Sequence, residues 1–97
     1  MASFAIIGTI KTVPGKRDEY LKFLVAHRKR CLATEPGTLQ FEVLVPHTEA
    51  DTLMLYEVYA NKDAFDAHWN GDSIKQFFQE ATSLQVSMTG VRGELAE

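Results

Sequence analysis

Apolar side chains recur with a two-residue period from Phe4 to Val13. Phe4, Ile6, Gly8 and Ile10 fall on one face, and Ala5, Ile7, Thr9 and Lys11 on the other. This predicts a strand that is apolar on both faces near its start and is stopped by Pro14 and Gly15. The period then changes. Tyr20, Leu24, His27 and Cys31, with Leu21, Val25, Arg28 and Leu32 alongside, recur at helical spacing and predict a helix entered through Lys16, Arg17 and Asp18. Pro36 disfavours helical geometry in the residue before it, so the helix ends by Glu35.

Gly37 opens a second strand, Thr38 to Val45, with Leu39, Phe41, Val43 and Val45 facing one way and Gln40, Glu42 and Leu44 the other. The polar stretch Pro46 to Thr52 reads as a hairpin loop. A third strand, Leu53 to Ala60, places Leu53, Leu55, Glu57 and Tyr59 on a common face. Asn61 is a predicted N-cap for a helix over KDAFDAHW, with Phe65, His68 and Trp69 turned inward. Gly71 breaks it, and Asp72 or Ser73 caps a further helix to about Ser83 that gathers Ile74, Phe77, Phe78 and Ala81 on one side. Gln85 to Arg92 reads as a last strand before a polar tail.

Strand, helix, strand, strand, helix, strand is the split βαβ order of the ferredoxin-like fold. It is an α+β arrangement in which helices cover one face of a four-stranded antiparallel sheet. The other face carries bulky apolar groups on several strands, and such a patch marks an interface. A homodimer packed sheet to sheet, a dimeric α/β-barrel type, is therefore expected. With 97 residues and no linker, repeat or low-complexity segment, residues 1–97 read as one domain of a size that often gains stability by association.

Composition narrows the function. A 45% hydrophobic and 24% charged chain is an ordinary globular one, which sets disorder aside. A net charge of -3 leaves no cationic excess to neutralise phosphates, so nucleic acid is not an expected partner. The opening MASFAIIGTIKTV lacks a basic start and breaks its apolar run at Gly8, Thr9 and Lys11. It reads as a strand rather than a signal peptide, and no run is long enough to cross a bilayer. The single cysteine, Cys31, has no partner for an internal disulfide and fits a reducing compartment, so a cytoplasmic location is expected.

The candidate chemistry lies between Tyr56 and Phe78. Glu57 sits in an aromatic, apolar strand, and a carboxylate buried there costs several kcal/mol unless it is paired. It either holds a histidine tautomer or a substrate hydroxyl, or makes a structural bond to a helix N-terminus, Arg28 or Arg92. His68 is a candidate general base, because imidazoles exchange protons near neutrality, or else a packing residue at a helix end. Tyr59 shares the face of Glu57 and is the tyrosine expected nearer the substrate. Phe65, Trp69 and Phe78 are candidate walls of an aromatic pocket, and Arg28 is the one cation of HRKRC expected to approach it. Cys31 reads as an inert apolar group. No HxxxH or CxxC spacing and no glycine-rich phosphate or dinucleotide loop occurs, so neither a metal nor a cofactor is expected.

EPGTLQFEV, with Glu35, Pro36, Gly37, Phe41 and Val43, and YEVYANKDAFDAH, with Tyr56, Glu57, Tyr59, Asp63, Ala64 and His68, occur in an order and spacing that resemble the antibiotic biosynthesis monooxygenase (ABM) domain family. The resemblance covers nearly the whole chain. It implies a dimeric ferredoxin-like protein, with cofactor-independent oxygenation of a quinol-like or other electron-rich aromatic molecule as the leading activity and His68, Glu57 and Tyr59 as its catalytic groups. The family also includes an enzyme that processes the phosphorylated autoinducer-2 signal, which implies as alternatives an isomerase or tautomerase of a small hydroxycarbonyl compound, or a noncatalytic ligand-binding dimer. Its haem-degrading branch carries asparagine, tryptophan and histidine where this chain has Gly8, His68 and Phe78, which argues against haem. The quinol oxygenase branch often has a second histidine where this chain has Ser73.

Overall fold

The computed structural model describes residues 3–96. The alternating amino-terminal segment forms β1 (Phe4–Thr12), and the helical stripe forms α1 (Arg17–Thr34), closed where Pro36 turns the chain out at Glu35. A hairpin of β2 (Thr38–Leu44) and β3 (Thr52–Tyr59) follows, then α2 (Lys62–Trp69), α3 (Asp72–Ala81), a single 3-10 turn at Thr82–Leu84 and β4 (Gln85–Gly93). The sheet order is β2-β3-β1-β4 with antiparallel neighbours throughout, as the ferredoxin-like reading requires. Among the described residues, no helix is long and apolar enough to cross a membrane.

The core lies between sheet and helices. From β3 it takes Leu53 and Leu55, from β1 Ile10, from α1 Tyr20, Leu24 and Cys31, and from α3 Phe77 and Ala81. Burying such side chains contributes roughly 1.5–3 kcal/mol each before entropy is counted. The register pairs Ile6 with Glu57 and Gly8 with Leu55, which puts Glu57 on the helix-covered face as its leucine and tyrosine neighbours require.

One strand departs from simple alternation. The β2 register steps from Thr38 opposite Tyr59 to Gln40 opposite Val58, so Leu39 is a bulged residue without a ladder partner. It is exposed instead of sharing the face of Phe41, and Thr38 takes the inward place. On the opposite edge of β1, Gly8 faces Gly90. Two residues without side chains meet on the inner face of the sheet, and the floor there is left open.

The face of the sheet away from the helices keeps Ile7 55% and Val91 72% exposed, with Leu44 exposed and Met54 and Tyr56 half-buried beside them.

Candidate functional site

The open floor at Gly8 and Gly90 lies beneath a cavity of about 100 Å³ between the sheet and the helices. Rings from Phe41, Phe65, Trp69, Phe77 and Phe78 wall it, and its titratable groups are His27, Glu57 and His68. Trp69 stacks on Phe65 at 6.1 Å and meets Phe78 edge-on at 5.9 Å, while remaining 45% exposed, so this aromatic trio borders solvent.

Two devices set the position of His68. Asn61 caps α2, its side-chain oxygen accepting from the Ala64 N–H at 2.9 Å. Gly37, at the entry to β2, lets the helix approach so closely that a Cβ on it would stand 2.4 Å from Ala64 Cβ. One turn along α2 from Ala64, the His68 ring is buried against Tyr59, at 5.1 Å between centroids.

His68 lies between two carboxylates. Its Nδ1 is 2.8 Å from Glu35 Oε1, and its Nε2 is 4.0 Å from Glu57 Oε1. Glu35 also accepts from Thr38 Oγ1 at 2.8 Å, which holds the carboxylate toward α2. An N–H at Nδ1 donating to Glu35 leaves Nε2 as the nitrogen with a free lone pair, on the Glu57 side. Glu35 enters the sequence reading only as a helix end and a family marker. Its signal is the EPG turn, which carries the side chain that follows α1 toward α2.

Glu57 is buried and accepts a hydrogen bond from the Tyr59 hydroxyl. Burial pushes its carboxyl group upward, against the opposing pull of Tyr59 and His68. Tyr59 is itself driven up by burial and then by Glu57 and remains a neutral donor at neutral pH. It reaches the cavity only through Glu57.

The residues expected at the site divide accordingly. His68, Glu57, Phe65, Trp69 and Phe78 share the cavity wall. Arg28 turns to the edge strand, where its Nε donates to the Phe41 carbonyl and its guanidinium meets Glu42 at 3.3 Å. The alternative bond from Glu57 to Arg28 or Arg92 is replaced by the one to Tyr59, and Arg92 lies 5.0 Å over the Phe65 ring.

A second group of side chains adjoins the same wall. His27 and Cys31, one turn apart on α1, meet His68 from α2, and one ligand atom from each lies within 4.8 Å of the other two. Burial, then His68 and Arg30, hold His27 down at about 4, so its imidazole is neutral at pH 7. Burial pushes the Cys31 thiol up to about 12, helped by Glu35, which keeps it protonated. No ligand spacing in the sequence predicts this group: His27 and Cys31 stand one helical turn apart, but the third member lies 37 residues from Cys31, on another element.

The family model for antibiotic biosynthesis monooxygenase matches residues 3–80. A candidate antibiotic biosynthesis monooxygenase of Caulobacter crescentus CB15 superposes with a TM-score of 0.93 at 23% identity, covering 99% of this chain and 92% of that one. PA3566 of Pseudomonas aeruginosa gives 0.90 at 18% identity, covering 100% and 97%. At these identities the two structures establish the fold. The uncharacterised protein sll1783 of Synechocystis sp. (strain ATCC 27184 / PCC 6803 / Kazusa) is 25% identical over 83 residues, 81% of this chain, and the chain spans about half (53%) of its length. With the model match extending from β1 through most of α3, the chain belongs to the antibiotic biosynthesis monooxygenase family.

Proposed function

We propose that this protein is a cofactor-independent monooxygenase acting on a small, electron-rich, quinol-like aromatic. The observation that carries the reading is His68, oriented by Glu35 through Nδ1, at the wall of an aromatic cavity that it shares with Glu57. An apolar cavity of about 150 Å³ accommodates benzene. At about 100 Å³ the enclosed space is smaller than that, so a single ring extends toward the solvent-exposed Trp69 and a fused polycycle is not enclosed.

In the proposed reaction His68 Nε2 takes a hydroxyl proton from the quinol, and the electron-rich anion reduces dioxygen directly. A C–O bond forms at the ring to give a hydroperoxide. Its O–O bond then breaks with loss of water, leaving a hydroxylated quinone. One oxygen atom stays on the ring and the other leaves in water with two hydrogens of the quinol, so no outside reductant is needed. The protein contributes orientation, the base and a dry site. Oxygen uptake with a panel of substituted hydroquinones tests this: turnover well above background supports it, and a panel without turnover removes it.

A second reading rests on Glu57. A carboxyl group raised by burial, beside a base, can return a proton to a neighbouring carbon, which suits isomerisation of a small hydroxycarbonyl compound. Product formed under strict anaerobiosis would select it over the oxygenase.

We also propose that two copies pair through the open sheet face. Ile7 and Val91 are exposed on adjacent strands there, and pairing would remove them from water. Ile7→Glu should yield a folded monomer by sedimentation. An unchanged mass relative to the parent protein argues against this face.

A further inference from the structure

His27, Cys31 and His68 are 2%, 0% and 3% exposed, and two of the three have no part in the proposed oxygenation. From their geometry we infer that they form a binding site for a zinc-class divalent cation, with Glu35 as the fourth ligand. Zinc bonds of about 2.0–2.1 Å to nitrogen and 2.3 Å to sulfur at tetrahedral angles place nitrogen and sulfur about 3.5 Å apart. Cys31 Sγ is 3.5 Å from His27 Nδ1, 3.7 Å from His27 Nε2 and 3.6 Å from His68 Nδ1. With His27 ligating through Nε2, two of the three sulfur edges, 3.7 and 3.6 Å, are close to that length. Glu35 Oε1 is hydrogen-bonded to His68 Nδ1 at 2.8 Å. Tetrahedral oxygen and nitrogen ligands stand roughly 3.3 Å apart, so the carboxylate swings outward by about 0.5 Å to become the fourth ligand.

The chemistry of the set selects the metal. Two imidazoles, a thiol and a single carboxylate suit zinc and its neighbours in the transition series, and disfavour the hard cations magnesium and calcium, which take oxygen ligands. On binding, the thiol releases its proton to solvent, and the proton on His68 Nδ1 moves to Nε2 as the metal takes its place. Thiolate and carboxylate together cancel the two positive charges, so the loaded site is neutral. The Arg30 guanidinium is nearby but engaged by Ser73, with 2.9 Å to Oγ and 3.2 Å to the carbonyl oxygen.

The outer partners are also in place. Ser73 Oγ is 2.9 Å from His27 Nδ1, which fixes that ring and leaves Nε2 for the cation. Glu57 stands beyond His68 Nε2 at 4.0 Å as the carboxylate behind the second imidazole. Serine thus occupies a structural place behind the His27 ligand. Ser73 and Glu35 hydrogen-bond the two imidazoles, and the sulfur lies 3.5–3.8 Å from polar atoms of His27, His68 and Ser73.

Occupancy has a consequence that rests on the oxygenase reading. An imidazole bound through Nδ1 carries its proton on Nε2, the nitrogen proposed to accept the substrate proton. The loaded protein is therefore inactive as an oxygenase, and the metal acts as an inhibitor.

The test is titration of the purified full chain with Co²⁺, followed by absorption. One equivalent should produce tetrahedral d–d bands and a sulfur-to-cobalt charge-transfer band, and Zn²⁺ should displace both while raising Tm. Cys31→Ser should lose the charge-transfer band, and Ser73→Ala, which leaves the ligands in place, should weaken binding about tenfold. Absence of the charge-transfer band at millimolar Co²⁺, its persistence in Cys31→Ser, or unchanged affinity in Ser73→Ala overturns the site. Should Cys31→Ser not fold, the parent spectrum and Ser73→Ala still decide. Oxygen uptake measured with Zn²⁺ and again after chelation separates the two readings: a cobalt spectrum without turnover in the metal-free protein keeps the site and removes the oxygenase.

Discussion

Glu35 Oε1 and His68 Nδ1 lie 2.8 Å apart, joining the end of α1 to the last turn of α2 across the mouth of β2. The link orders the site: a carboxylate on one imidazole nitrogen decides which nitrogen is left to act as the base.

Glu35 does not line the cavity, so its removal should impair chemistry rather than binding. Glu35→Gln is expected to lower kcat at least about tenfold while KM stays within about twofold, with partial recovery in Glu35→Asp. Steady-state kinetics in the presence of a chelator reads this split. A rise in KM at constant kcat would assign Glu35 to substrate binding instead.

Gly37 sets the distance between β2 and α2. Gly37→Ala puts a methyl group where Ala64 already stands, and overpacking of this kind costs about 1–3 kcal/mol. Ala64→Gly should restore much of the loss in the double variant, because it vacates the contested space. Chemical denaturation of the three variants forms the cycle, and simple additivity contradicts the contact.

The cavity floor depends on Gly8. A Cβ there meets Leu55 and the Thr89 carbonyl at ordinary contact distances, 3.6 and 3.5 Å, so a methyl group is sterically admissible. Gly8→Ala should leave Tm nearly unchanged, and Gly8→Val, β-branched and suited to a strand, should raise KM at least about tenfold by filling the space above the floor. An unaltered KM places the substrate elsewhere.

Much of this arrangement is legible in the chain because it follows from local rules. The alternation in LMLYEVYA assigns Glu57 and Tyr59 to the leucine face, Asn61 announces α2, and Pro36 ends α1. Other parts depend on register or on contacts between distant elements. A single bulge turns Leu39 outward, which period alone does not reveal. The Gly8 and Gly90 pair requires the partner of β1 to be known, and the meeting of His27, Cys31 and His68 requires the packing of α1 against α2. Arg28 was expected near the pocket from its place one turn from Leu24 and Leu32, yet its long side chain reaches sideways to the backbone of β2.

Burial of His27 makes the fold sensitive to acid. Its surroundings are His68, Arg30, Glu35, Cys31 and Ser73, and the native state holds it down at about 4 against 6.5 in the open chain. Between those values the unfolded chain takes up a proton that the native state refuses. The contribution is therefore complete above about pH 6.5 and disappears progressively as pH falls toward 4, a loss of about 3 kcal/mol. Denaturation midpoints with chelator present should fall more steeply over this range for the parent than for His27→Gln. Parallel curves would show that His27 is not the group responsible.

Mass analysis of the product formed under heavy-isotope dioxygen reads whether His68 initiates direct reaction of a quinol with dioxygen. The parent protein should give a hydroxylated quinone carrying one labelled oxygen atom, with the labelled yield reduced to background in His68→Gln. An unlabelled product, or equal label in parent and variant, contradicts it.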